Sequence, residues 1–480
     1  MGFGGWTGRV SEPDSGSVPE RFAWWSVALL LPCAAVLTWL SATEPVGRLA
    51  VWAWTVAGLA WAAAVSGRAP TAAAQRGLAA GLVVSYLALL AAPPRFSDDL
   101  WRYLFDGRVS AMGLNPFSYA PANPKISWVA PEMVAKMNFP EMRTIYPPIG
   151  QGLFALVGLV SGSDRLWRLV LVLLVLGAAW LFARDAEEPA ARAARGWGLA
   201  TAPLVVVSAG SLGALDAVGL VVMVALLSAV VKRSAVRQGF WVGVGAGLKL
   251  FPAVLFWTVP ASRRLRSGAI AGAVALMVLT VAYLPIAGIG RKALGSLTTY
   301  TTAWSFNGGP VRWLALGLDA GFEAGGVARS VEVPVPAWLH DPARRVVDGI
   351  PTEKLFVGRN EVARLLATGA GLLALAAVLV LGRRRLARES ELMAVCLLAF
   401  YAGQFTVYPW YGLWLVPAAV LLGGRGSVGG GAVAFAGLLP LALLTPAGVI
   451  DGGPWQEPAW VAPALWAAAG MTAWLRRHRV

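Results

Sequence analysis

Histidine and cysteine are nearly absent from this chain. Two histidines, His340 and His478, are too few for a multi-histidine metal site. Cys33 and Cys396 both fall inside apolar segments and build neither a disulfide framework nor a cysteine-rich metal centre. Charge is scarce as well: 14% of residues are Asp, Glu, Lys or Arg, against about 25% in soluble domains. With 57% hydrophobic residues and a mean hydropathy of +0.64, that balance excludes a soluble enzyme and points to a polytopic membrane protein. Acid is the scarcer sign, 25 residues against 40 basic, for a formal net charge of +15. The excess does not read as nucleic-acid binding, because the basic residues sit in short loops between apolar spans, which is the positive-inside pattern. No P-loop, dinucleotide fingerprint, Ser-His-Asp set or internal repeat is present. The first 22 residues lack a basic region leading into a short apolar core and a cleavage site, so Ala23–Leu40 is expected to be a retained span.

What the chain does have is apolar runs, at 23–42, 49–65, 77–92, 166–182, 197–211, 214–231, 268–290, 361–382, 391–407, 409–422, 428–450 and 458–475. They predict an all-α fold of about twelve transmembrane helices in a single integral membrane domain over 1–480, several runs falling short of the ~20 residues a straight crossing needs. Residues 1–22 then form an N-terminal cytoplasmic segment. The basic clusters Arg68/Arg76, Arg184/Arg192/Arg195, Lys232/Arg233/Arg237, Arg263/Arg264/Arg266, Arg383–Arg385 with Arg388, and Arg476–Arg479 all fall on the cytoplasmic side under two conditions. Segment 149–160 must dip in from outside or lie along the outer surface. Segment 239–260 must enter and return as a broken pair of half-helices, with Lys249 and Pro252 near the turn, which is tolerated only where protein or a polar cavity satisfies the freed backbone. Two long outer loops, 93–148 and 291–360, and short outer turns at 211–216, 407–410 and 451–457 remain.

The densest polar cluster follows the third run: Ser97-Asp98-Asp99-Leu-Trp-Arg102-Tyr103-Leu-Phe-Asp106-Gly-Arg108. An Asp partly withdrawn from water at a membrane face suits proton abstraction from an attacking hydroxyl. Asp98 and Asp99 equally suit the N-cap and first turn of a helix starting near Leu100. Arg102 is spaced to share a helical face with the carboxylates, either as an intrahelical ion pair or as a phosphate ligand. Asn115, in Gly113-Leu-Asn-Pro-Phe-Ser-Tyr119, is explained by turn chemistry alone. Tyr146, Trp304, Tyr408, Trp410 and Tyr411 are either interfacial anchors or rings lining a sugar site, with Asn307 a partner for a hydroxyl. Asp216 opens an apolar run after Gly210-Ser-Leu-Gly-Ala-Leu, where capping and function are both adequate readings. Lys249 interrupts Val244-Gly-Ala-Gly-Leu-Lys-Leu-Phe-Pro252 far from other charge in sequence and calls for a partner such as a phosphate.

These pieces, in order, are Ser97–Arg108, Gly113–Pro121, Thr144-Ile-Tyr-Pro-Pro-Ile-Gly-Gln151, Leu248-Lys-Leu-Phe-Pro252, Tyr300…Trp304-Ser-Phe-Asn307 and Tyr408-Pro-Trp-Tyr-Gly-Leu-Trp-Leu-Val-Pro417. The chain resembles the GT-C superfamily of polyprenyl-phosphate-mannose-dependent mannosyltransferases, and within it the glycosyltransferase family 87-like, bacterial alpha-mannosyltransferase group. The resemblance implies a bacterial inner-membrane enzyme with its active site on the outer face. It would transfer a hexose, with mannose the first expectation, from a polyprenyl-phosphate donor to a glycan or glycolipid acceptor with inversion. Neither a nucleotide nor a metal or other cofactor is implied. The family's Asp-hydrophobic-x-x-Tyr pattern falls on Asp99-Leu-Trp-Arg-Tyr103, which makes Asp99 the general base and Asp98 its support. Donor phosphate falls to Arg102, Lys249 or Arg108. Asp106, Asn115, Tyr146, Asp216, Trp304, Asn307, Tyr408, Trp410 and Tyr411 become candidates for sugar or acceptor binding. Ala214-Leu215 before Asp216 stands where relatives often carry His or Asn, and Tyr408 before Pro-Trp-Tyr where they often carry His. A transporter or lipid flippase, or a GT-C-like scaffold without activity, are the alternative expectations.

Overall fold

A computed structural model of the chain describes residues 18–297, 299–300, 304–334, 354–386 and 388–478. Most of the expected N-terminal cytoplasmic segment, and the middle of the second long loop with His340, lie outside the described residues. α1 (Val18–Leu40), α2 (Gly47–Ser66) and α3 (Ala72–Ala91) open the bundle, followed by α4 (Asp99–Ala111), α5 (Pro131–Val134) and α6 (Pro148–Val160). Next come α7 (Asp164–Arg184), α8 (Pro189–Ala200), α9 (Pro203–Val207), α10 (Asp216–Val231), α11 (Ala235–Leu248) and α12 (Leu265–Tyr283). The C-terminal part adds helices Pro310–Ala324, Arg359–Arg385, Glu389–Ala402, Gly426–Leu438 and Val461–Arg477, among shorter ones.

Among the described residues, seven helical segments are long and apolar enough to cross a membrane: Phe22–Leu40, Gly47–Ser66, Ala72–Ala91, Asp164–Arg184, Leu265–Gly290, Arg359–Arg385 and Gly426–Ile450. The other apolar runs are helical too, but short or broken. Run 197–211, for example, is divided among α8, α9 and a π turn at Ser208–Leu212. Apolar side chains face outward along the spans, Leu276 at 66% exposure and Leu373 at 73%, as a lipid-facing surface would require. The all-α expectation needs one amendment. Ser330–Pro334 (β1) and Lys354–Gly358 (β2) pair antiparallel, Ser330 opposite Gly358. Val331 and Val333, flanking Glu332, carry the alternation of a short strand.

Hydrogen bonds between distant segments define the two ends of the bundle. At one, Arg168 of α7 donates to the carbonyls of Leu89 (2.7 Å) and Ala92 (2.9 Å) beyond α3, and Trp167 Nε1 donates to the Gly213 carbonyl at 2.7 Å. There too the Asp451 carboxylate accepts the Gly47 and Arg48 amides at 2.6 and 3.0 Å and so caps α2. At the other end Trp61 Nε1 donates to the Gly198 carbonyl (2.7 Å), and Arg383 donates to the Trp257 carbonyl and the Ser262 hydroxyl (2.8 and 2.6 Å). Because α3 ends where α7 begins, α4 to α6 leave and return on one end, as expected for segment 149–160.

The return of segment 239–260 is equally plain. α11 stops at Lys249, whose backbone is extended (φ −145°, ψ 143°), and a 3-10 helix runs Phe251–Thr258. Gly239 meets Ala271 and Gly243 meets Ala275, so α11 and α12 lie side by side in parallel and the chain doubles back between them. Eight residues of 3-10 helix cover about 16 Å, against about 21 Å for the fourteen residues of α11. Helix Arg359–Arg385, 27 residues and about 40 Å long, overshoots a hydrocarbon core of about 30 Å. Its first turns pair with Pro310–Ala324 through Arg359, which is ion-paired to Asp319 at 2.8 Å and Glu323 at 3.0 Å.

Small residues let the helices touch backbone to backbone, the usual device where lipid rather than water surrounds a bundle. α4 and α6 meet at Gly107 and Gly158, and a methyl on Gly107 would run into the Phe154 carbonyl. Gly107→Ala is therefore expected to lower stability by about 1–3 kcal/mol. Gly152→Ala, where a methyl meets open space on the same hairpin, should be neutral or better. Thermal unfolding in detergent checks the pair, and equal midpoints would mean that α4 and α6 are not in direct contact.

Candidate functional site

α4 begins at the end of the bundle where Arg168 and Trp167 tie α7 to Ala92 and Gly213. Gly213, in the left-handed region (φ 64°), turns the chain from the π turn into α10 with no room for a side chain against Leu100. This places Asp216 at the start of α10, facing Lys249 at the break of α11. Lys249 Nζ lies 2.6 Å from Asp216 Oδ2, and Asp216 Oδ1 accepts from Trp414 Nε1 at 2.9 Å. The Asp216 side chain is fully buried while that of Lys249 keeps 15% exposure. The Tyr411 ring lies 4.5 Å from Nζ, and the Tyr411 hydroxyl is 2.5 Å from that of Tyr300.

Asp99 stands within electrostatic reach of Lys249, Arg102, Asp98 and Asp216. It is half-buried, and the space bounded by it and the side chains around it is here called the recess. Among the described residues its carboxylate accepts no hydrogen bond, and Asp98 makes no side-chain capping bond to α4 although it occupies the N-cap. Asp98 Oδ1 instead accepts from Asn138 at 2.8 Å. Burial and then the Asp98 charge push the Asp99 carboxyl up to about 6, against the opposing pull of Lys249 and Arg102. The sign for a base follows: Asp99 is protonated below about 6 and competent above it. Any activity that uses it should rise tenfold per pH unit below that value and flatten above it, read from kcat/KM. Asp98→Asn removes the second upward cause and should move the limb to lower pH. An unmoved limb would assign the titration to another group. The same ionisation withdraws stability as pH climbs from about 4 to about 6, since the folded chain holds the proton more tightly than the unfolded one.

Tyr146 and Tyr103 complete the floor, their rings 5.0 Å apart edge to face, with Tyr103 also stacked on Phe154 at 4.7 Å. Tyr408 stacks flat on Trp410 (4.7 Å, 6°) and edge-on to Tyr411 (5.8 Å). Trp304 closes the other side, 5.7 Å from Tyr300 and 4.6 Å from Phe139, so the two long loops meet over the recess. Of the residues singled out in the sequence, the structure gathers Asp98, Asp99, Tyr146, Asp216, Lys249, Trp304, Tyr408, Trp410 and Tyr411. Arg102 borders the recess, but its Nη1 and Nη2 donate to the carbonyls of Met142 (2.7 Å) and Phe139 (2.8 Å), which orders the turn that carries Phe139.

The remaining residues are occupied elsewhere. Asp106 faces α6 and accepts from Gln151 at 2.8 Å, in a buried knot that includes Thr144. Arg108 pairs with Glu132 at 2.8 Å on the outer flank of α4. Asn115 Oδ1 accepts the Phe117 amide at 2.9 Å in a local turn. Asn307 takes a left-handed conformation (φ 47°), and its amide and Arg312 both donate to Glu457 Oε1, at 3.0 and 2.7 Å. It thereby ties the second loop to turn 451–457. Tyr300 and Trp414 are the main additions. Both stand in quoted motifs, yet nothing in one sequence singles an individual ring out of an aromatic cluster. Arg168, fully buried, was detectable as a lone cation inside an apolar run.

Comparison with known proteins returns no counterpart: no protein-family model matches the chain, and no curated protein or solved structure does.

Proposed function

We propose that the chain is an integral membrane hexosyltransferase of GT-C type, with about twelve crossings, that draws its sugar from a polyprenyl-phosphate donor. The observation that carries this reading is the side-chain cluster itself: a carboxylate lifted toward neutral pH, within electrostatic reach of a lysine ion-paired to a buried aspartate, at one end of an apolar bundle. In the proposed step Asp99 takes the proton of an acceptor hydroxyl as its oxygen attacks the anomeric carbon. The bond from that carbon to the donor's phosphate oxygen breaks on the opposite face, which inverts the centre. The phosphate leaves on its prenyl carrier, and its charge is met by the Lys249 ammonium. A phosphate leaving group needs little acid assistance, so positioning, one base and one cation suffice. The positive-inside pattern of the basic clusters supports assigning their end to the cytoplasm and the recess to the outer face of a bacterial inner membrane.

The test supplies proteoliposomes of the purified protein with radiolabelled polyprenyl-phosphate mannose and a membrane glycolipid extract. Label is expected in the glycolipid fraction, with no transfer from nucleotide sugars alone. Transfer from a nucleotide sugar without prenyl phosphate would overturn the reading. One observation favours a second reading, a transporter: α11 is broken at Lys249, and an ion pair lies at the break. Labelled prenyl-phosphate mannose that crosses the vesicle membrane without chemical change would establish that alternative.

A further inference from the structure

The second loop holds a separate cleft of about 150 Å³ between helices Pro310–Ala324 and Arg359–Arg385, lined by Ser305, Arg312, Asp319, Asn360, Arg364 and Phe405 among others. Its chemistry differs from that of the recess. Arg364 lays its guanidinium over the Phe405 ring at 4.0 Å and gives one N–H to the Trp304 carbonyl at 3.3 Å. Among the described residues no carboxylate pairs with it. The acids nearby are otherwise engaged: Glu457 by Arg312 at 2.7 Å, and Asp319 by Arg359 at 2.8 Å. Among the described residues Arg364 is thus a guanidinium without a carboxylate partner on the wall of a confined cleft, an arrangement that an incoming anion completes.

Trp304 links this cleft to the recess, since its carbonyl meets Arg364 while its ring packs beside Tyr300, whose hydroxyl reaches Tyr411. We propose that the Arg364 cleft is an acceptor subsite for an anionic sugar, one bearing a phosphate or carboxylate. The planar guanidinium would grip the acid group in two-point fashion, and Phe405, Ser305 and Asn360 would flank the ring. The inference rests on the transferase reading, because it names what the acceptor must carry.

The test titrates the full chain in neutral phosphatidylcholine nanodiscs with mannose 6-phosphate, glucuronate and mannose, followed by saturation-transfer NMR. The two acidic sugars are expected to bind, with affinity falling as salt rises, and mannose to bind at least about tenfold more weakly. Arg364→Gln should remove that preference, and Arg364→Lys should keep part of it. Because Arg364 also steadies Trp304, Asn360→Asp supplies an independent variant. It adds a negative charge to the first turn of helix Arg359–Arg385, which favours folding, and to the rim of the cleft, which should repel the anion. Weaker acidic-sugar binding by a chain of undiminished thermal stability supports the subsite. Equal binding of acidic and neutral sugars, or saturation of the cleft only when phosphatidylglycerol is added to the disc, overturns it. None of these readouts depends on Asp99 or on donor turnover, so a failure here leaves the transferase reading to its own test.

Discussion

Asp99→Asn is expected to abolish sugar transfer, by about three orders of magnitude in kcat, while leaving donor binding within a factor of a few. The change is isosteric, so the recess keeps its shape, and the loss falls in the range that removal of a positioned general base produces. The amide can neither take a proton nor carry charge. Its removal takes away the negative field that opposes the donor's phosphate, so donor affinity should hold or improve slightly. The informative measurement is the split: equilibrium binding of labelled polyprenyl-phosphate mannose alongside single-turnover transfer. Asp99→Glu keeps the acid but lengthens the arm in a crowded recess, and should retain a small residue of transfer. If Asp99→Asn turns over like the unaltered chain, Asp99 is not the base, and the remaining carboxylate at the mouth, Asp98, takes its place.

The second large effect concerns the Lys249–Asp216 pair. Asp216 is fully buried and both of its oxygens are engaged, so Lys249→Met leaves an uncompensated carboxylate and Asp216→Leu leaves an uncompensated ammonium. Either single change is expected to destabilise the chain by about 3–5 kcal/mol, seen as a lower unfolding midpoint in detergent. The double change, Lys249→Met with Asp216→Leu, removes both charges and should recover most of that loss. Transfer should not recover with it, because the proposed phosphate partner is gone. The separation of the two readouts decides the role of Lys249. A double variant that is stable and still transfers sugar would reduce the pair to a structural element. A stable variant that binds donor at least about tenfold more weakly would place the ammonium on the phosphate.

The apolar runs made the bundle legible: nearly every expected span is helical, and the doubling back at Lys249 was forced by the sidedness of the basic clusters before any geometry was known. Local polarity, by contrast, was a poor guide to which polar side chains meet. Asp98, Arg102 and Asp106 share a stretch of α4, yet Asp98 turns to Asn138, Arg102 to two carbonyls and Asp106 to Gln151. Each partner lies more than thirty residues away in sequence, and no periodicity carries that information. Lys249 was marked as requiring a partner, but the sequence pointed to a phosphate and not to a side chain of the chain itself. The fold supplies Asp216 because α10 and α11 begin and break at the same end. The β1–β2 ribbon went unread because two five-residue strands lie nineteen residues apart, with no tight-turn signal between them.

Arg168 has a consequence for how the chain is made. Its guanidinium pairs with Asp164 one turn earlier in α7, and its other carbonyl acceptors come from both directions along the chain, Leu89 and Ala92 before α7 and Gly210 after it. α7 on its own therefore leaves the guanidinium with Asp164 alone and its bonds to the neighbouring segments unmade. Those bonds form only once α3, α7 and the turn at Ser208–Leu212 have come together, so one side chain couples the assembly of three separate segments.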